Sequence, residues 1–178
     1  MEANTTWKLD PTHSELTFKV RHLMISNVKG DFRKFDATIK SNGNDFVNAS
    51  VEAEVDASSI DTNNPDRDTH LKSADFFGAD EHPVIRFRGS AFDKVDDENF
   101  QLKGTLNMKG IEKEVTLDVD FGGFMKDPYG NDKAGFSVSG KINRKDWGLN
   151  WNAMLESGGV MVSDEVRIAG ELQFVKQS

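Results

Sequence analysis

The 178-residue chain has no cysteine, which excludes disulfides and thiolate metal sites. Histidine is scarce: His13, His22, His70 and His82 are scattered, with no His-x-His or His-Glu-x-x-His pair. A zinc site needs three or four converging ligands, so none is expected. No apolar run approaches the roughly 18–20 residues of a membrane helix, so no integral membrane segment is expected. Positive charge is outweighed, 22 basic residues against 30 acidic, for a net −8 with histidine neutral. That balance argues against nucleic acid or an anionic membrane as the main partner. The basic pair Arg86 and Arg88 is only the outward phase of one strand. Residues Met1 to Thr6 are polar and lack the apolar centre of a leader. The expectation is a cytoplasmic protein, or a periplasmic one whose leader was removed.

Aromatics with a polar group are few: one Tyr and three Trp stand against 13 Phe. An interior built from Phe is oily and offers few hydrogen bonds. Composition alone favours an ordinary Phe-rich core over a lipid pocket.

The chain does carry period-two alternation from Glu15 to Phe174. Leu16, Phe18, Val20 and His22 share one phase, opposed by Glu15, Thr17, Lys19 and Arg21. The same pattern recurs around Val51, Phe87, Leu106, Val119, Phe136 and Ile168. Short turn signals separate the segments, at Asn42–Gly43, Asp96–Asn99, Lys109–Gly110 and Asp127–Asp132. Strands with one apolar face joined by tight turns predict an all-β antiparallel meander. About eight of them would close a barrel able to hold side chains or one small ligand. The apolar phase changes parity between Phe32 and Phe35, which predicts a bend near Arg33–Lys34. Asn64–Pro65–Asp66–Arg67–Asp68 reads as a helix start, so one short helix over about 65–73 is expected across a barrel end. The whole chain, 1–178, is expected to form a single domain. Gly30, Gly89, Gly104, Gly140 and Gly170 fall on the apolar phase. They permit tight coiling or leave interior space, and the pattern favours neither.

No catalytic set emerges. Gly135–Phe136–Ser137–Val138–Ser139 lacks the last glycine of a nucleophile elbow, and its serines lie on the wet phase. His22, on the apolar phase at a strand end, must find a hydrogen bond or a ligand group. The blander reading is a satisfied structural histidine. Arg67 and Arg144 are further candidates for polar contacts at a barrel mouth.

Several ordered motifs resemble the YceI-like family. Asp10–Pro11–Thr12–His13–Ser14 with Phe18, Val20, His22, Gly30 and Phe32 is similar to its opening signature. Arg67–Asp68, His70–Leu71–Lys72–Ser73 and Asp75–Phe76–Phe77 resemble its helical insert. His82–Pro83, Gly104–Thr105–Leu106, Asn143–Arg144 and Asp164–Glu165–Val166 continue the likeness to about Phe174. The resemblance implies a lipocalin-like barrel whose apolar pore holds a long polyisoprenoid, of prenyl quinone or prenyl pyrophosphate type. It implies no catalysis and no cofactor beyond that lipid, and homodimers occur among relatives. Carried over, the ligand-binding residues would be Phe18, Val20, His22, Phe32, Arg67, Phe76, Phe87, Gly104, Leu106, Phe136 and Gly140. Arg144 is expected to brace the chain beside Asp146. Two alternatives stay open: a stress-linked interaction protein with a filled barrel, and a lipid-acting hydrolase or isomerase centred on His22.

Overall fold

A computed structural model describes residues 5–23, 25–152 and 161–177. Its first three staves are each broken once. β1 (Thr5–Leu9) runs on into β2 (Glu15–His22) across a short turn that the Asp10 side chain caps by accepting from Thr12 N. β3 (Ser26–Phe32) runs on into β4 (Phe35–Asn42) across a bend at Arg33–Lys34, where the parity change predicts one. β5 (Asp45–Asp56) runs on into the two-residue β6 (Ile60–Asp61). The helix α1 (Pro65–Lys72) follows, with Asn64 Oδ1 accepting from Arg67 N at its start. The remaining staves are unbroken: β7 (Val84–Lys94), β8 (Asn99–Met108), β9 (Ile111–Lys126), β10 (Asp132–Asn143) and β11 (Val162–Lys176).

All pairings are antiparallel between chain neighbours, and β11 closes the ring by pairing with β2 along Val162–Glu171 and with β1 at Phe174–Lys176. The sheet is thus an up-and-down barrel of eight staves, which leaves no long unpaired edge. At the β8–β9 hairpin Lys109 (φ 54°) and Gly110 (φ 76°) both take positive φ, the type I′ geometry whose twist matches a two-residue hairpin.

The connections sort into two ends. The β4–β5, β7–β8 and β9–β10 turns lie at one end, together with both termini. An aromatic cluster plugs it. Phe46, only 3% exposed, has its ring centroid 5.1 Å from Phe136, 5.4 Å from Trp7 and 5.7 Å from Phe121. Trp7 is also buried and satisfies its indole N–H on Ser41 Oγ at 2.9 Å. Just outside, the Lys133 ammonium donates to Asp10 at 2.8 Å and ties the β1–β2 turn to β10. The other end carries the β2–β3 and β8–β9 hairpins, α1 and the β10–β11 connection.

Of the glycines on the apolar phase only Gly170 lines the interior space; Gly30, Gly104 and Gly140 do not open it. A Cβ on Gly104 would lie 2.4 Å from the Arg88 carbonyl and 2.7 Å from the Phe87 ring. On Gly140 it would meet Leu117 at 2.6 Å, and on Gly30 the Phe18 ring at 2.3 Å. Neighbouring side chains lie across these backbones, so the glycines make room for Phe18, Phe87 and Leu117 rather than for a guest. Interior space comes instead from small side chains such as Ala37 and Ala53, directly opposite each other on β4 and β5.

Candidate functional site: a one-ended apolar cavity

Between the aromatic plug and α1 lies a cavity of about 570 Å³, within the roughly 300–1,000 Å³ typical of small-molecule sites. Its floor is Phe92, Phe136 and Phe174, all at most 4% exposed. Its wall is aliphatic and aromatic, with Val20, Phe32, Phe87 and Leu106 from four staves. Toward α1 the lining becomes polar: exposed Arg21 and half-buried His22 at the end of β2, exposed Asp66 with half-buried Arg67 and His70 on α1, and buried Arg144 after β10. The cavity is therefore oily in depth and polar only at its mouth.

Nine of the carried-over residues line it: Phe18, Val20, His22, Phe32, Arg67, Phe76, Phe87, Leu106 and Phe136. Gly104 and Gly140 do not, because Phe87 and Leu117 cover them. His22 lines the cavity at its mouth, and its imidazole has no hydrogen-bond partner among the described residues. Arg67 is anchored to one residue: Nε donates to Thr62 Oγ1 at 2.8 Å and Nη2 to the Thr62 carbonyl at 2.7 Å. Asp68 holds Thr62 in turn, accepting from its N–H at 2.9 Å and its hydroxyl at 2.5 Å.

Arg144 braces the chain, but not against Asp146. Its guanidinium, 3% exposed, donates to the carbonyls of Leu149 (2.5 Å), Trp151 (2.8 Å), Ser163 (2.9 Å) and Val162 (3.3 Å). These acceptors bracket both ends of the β10–β11 connection, and none is an acid. Burial pushes the Arg144 pKa down, while the Asp164 carboxylate acts the other way. The guanidinium also sits 5.9 Å from the centroid of the Phe76 ring.

The described residues contain no group of three or more His, Asp or Glu able to hold a metal. No described helix is long and apolar enough to cross a membrane. A profile of the YceI-like domain matches residues 7–174. The chain belongs to the YceI-like family.

Relatives extend over the same length. A UPF0312 protein of Staphylococcus epidermidis is 42% identical over 171 residues, 96% of this chain and 97% of its own. The crystal structure of the Campylobacter jejuni YceI protein matches with a TM-score of 0.76 and 32% identity, over 89% of this chain and 90% of its own. A polyisoprenoid binding domain from Saccharophagus degradans shares the fold at a TM-score of 0.67 and 16% identity, covering 99% of this chain and 100% of its own.

Two features of this YceI-like mouth escape the sequence reading. His70 packs edge-on against Trp151 at 4.6 Å and Phe76 at 5.1 Å, while its Nε2 meets Asp75 at 2.9 Å. Trp151 lies in the β10–β11 connection, where no periodicity marks which side chains turn inward. Lys109, read only as a turn residue, ties three connections together by donating to the carbonyls of Ala74 (2.7 Å) and Gly148 (3.4 Å).

Proposed function

We propose that this protein binds a long polyisoprenoid, its tail in the barrel and its polar head at the mouth. The carrying observation is the gradient within one cavity: apolar at the floor and wall, polar only beside α1. Each buried CH₂ contributes about 0.8 kcal/mol, so a long tail needs few polar contacts. The Saccharophagus degradans domain, described as polyisoprenoid binding, supports the ligand class. Arg67, its Nε and Nη2 held by Thr62, can offer Nη1 to an acceptor oxygen. A quinone carbonyl or a pyrophosphate oxygen meets that need. The role is carriage rather than catalysis: the one histidine–carboxylate pair at the mouth, His70 with Asp75, has no serine or threonine hydroxyl hydrogen-bonded to its imidazole among the described residues. A filled-barrel interaction protein does not fit a cavity of about 570 Å³.

Gentle mass spectrometry of the purified protein, followed by organic extraction, tests this reading. The expected result is an added mass that extracts as a prenyl species and identifies the head group. A clean unliganded mass, with no uptake of added prenyl quinone or prenyl pyrophosphate, overturns it.

A further inference from the structure

The barrel's register assembles a basic row that the linear sequence hides. Lys141 on β10 stands directly opposite Arg167 on β11. Arg167 stands opposite Lys19 on β2, and Lys19 opposite Lys29 on β3. All four are exposed and lie on the outer face. At roughly 4.8 Å between strands they form a band about 15 Å wide. Arg21, two residues beyond Lys19 on the same face, extends it toward the mouth. Like charges directly opposite one another destabilise a sheet. Glu165 offsets one of them, lying 3.5 Å from Arg167. Among the described residues no carboxylate forms an ion pair with Lys19, Lys29, Lys141 or Arg21.

The same barrel treats its other cations differently. Arg86 and Arg88 on β7 stand opposite Glu54 and Glu52 on β5, and Arg86 reaches Glu54 at 3.4 Å. An acidic chain that matches charges on one wall thus leaves three cations of a four-cation row without an ion pair on another, among the described residues. Four residues toward the plugged end of that wall the sign reverses, with Glu171 opposite Glu15. The wall is polarised, positive toward the mouth.

Beyond the positive end lies an apolar tip. Leu23 and Ile25, in the β2–β3 hairpin, are 36% and 81% exposed. The hairpin sits on the cavity rim: its neighbours His22, Val28 and Val162 line the cavity, and Leu23 N–H bonds the Met161 carbonyl at 2.8 Å. We propose that this wall and tip dock on an anionic lipid bilayer, with Ile25 and Leu23 entering the interface, the basic row on the head groups and the mouth turned toward the membrane. The apolar tip is what favours a bilayer over nucleic acid or an acidic protein, since only a bilayer offers phosphate and hydrocarbon a few ångströms apart. The net −8 does not prevent docking, because charges farther than about 8 Å from the contact are largely screened at physiological salt. Docking does not depend on what the cavity holds.

The test is co-sedimentation with phosphatidylcholine vesicles, with and without phosphatidylglycerol, at low and physiological salt. The intact chain is expected on the phosphatidylglycerol vesicles, releasing as salt rises. Each charge removed should weaken partitioning about fivefold, so the triple variant Lys19→Gln, Lys29→Gln, Lys141→Gln should lose about a hundredfold. Its thermal midpoint should hold or rise, because like-charge repulsion is relieved, which separates lost docking from lost folding. Ile25→Asp should also weaken binding, and Arg86→Gln with Arg88→Gln should leave it unchanged. Equal binding to both vesicle types overturns the proposal, as does a triple variant that binds like the parent. So does retention on heparin or single-stranded RNA with no vesicle binding, which would assign the row to another polyanion.

Discussion

At the scale of single residues, glycine and aspartate positions make opposite statements about space and charge. The glycines of the apolar phase are legible as special in the sequence, but their purpose is not. Alternation shows which face a residue takes, not whether a neighbour's ring lies across it. Gly104→Ala should destabilise by about 1–3 kcal/mol, because backbone as well as Phe87 stands in the way. Gly170→Ala, whose Cβ would meet nothing nearer than 3.5 Å, should be close to neutral. Gly30→Ala is expected to push the Phe18 ring into the cavity and lower ligand uptake more than stability. Urea unfolding and a binding titration check all three. Asp10 carries the charge statement. The hydrogen bonds from Lys133 and then His13 lower its pKa from 3.8 to about 2. A carboxyl with a depressed folded pKa contributes stability above its unfolded value, and loses it as pH falls through the folded one. The contribution, on the order of 2 kcal/mol, should be full above about pH 5, fall away as pH drops through about 2, and be gone near about pH 1. Asp10→Asn should therefore lie below the parent in stability at neutral pH and converge with it in acid. A gap independent of pH would mean the side chain acts by shape alone.

At the scale of elements, the strands and the short helix are readable because each has a period or a cap, and the bend at Arg33–Lys34 betrays itself by parity. The β10–β11 connection has neither signal. One residue ties its described parts together, since Arg144 gathers the carbonyls of Leu149, Trp151, Val162 and Ser163 around a single guanidinium. The sequence singles out Arg144 but suggests the nearby acid as partner; two carbonyls within seven residues and two at the start of β11 come together only once the chain folds back. Arg144→Met keeps the bulk and removes every donor. It should cost about 3 kcal/mol, since buried carbonyls lose charged donors. It should also speed amide exchange in residues 148–152 and 161–163 while leaving the β8–β9 hairpin protected. Uniform exchange throughout the barrel would instead make Arg144 a global rather than a local brace. The basic row is illegible for a related reason: its four members come from four strands, and only the register sets them side by side.

At the scale of the whole molecule, the question left open by composition, packed core or pocket, has both answers. The Phe46 cluster fills one half and the cavity occupies the other. Thirteen Phe could serve either purpose, and no period along the chain divides them between the two halves. Capacity is then set by small wall residues. Ala53→Phe should fill the space between β4 and β5 and cut uptake of a prenyl ligand at least tenfold, with the thermal midpoint held or raised. Unchanged uptake would place the ligand elsewhere. The aromatic plug carries a further consequence for traffic. A pore open at both ends lets cargo pass through, so donor and acceptor can wait on opposite sides. This barrel is a cup, and whatever fills it must leave by the way it came. For the carriage proposed above, loading and delivery are successive visits to a single door. The last part of the guest to enter is the first part that any recipient meets.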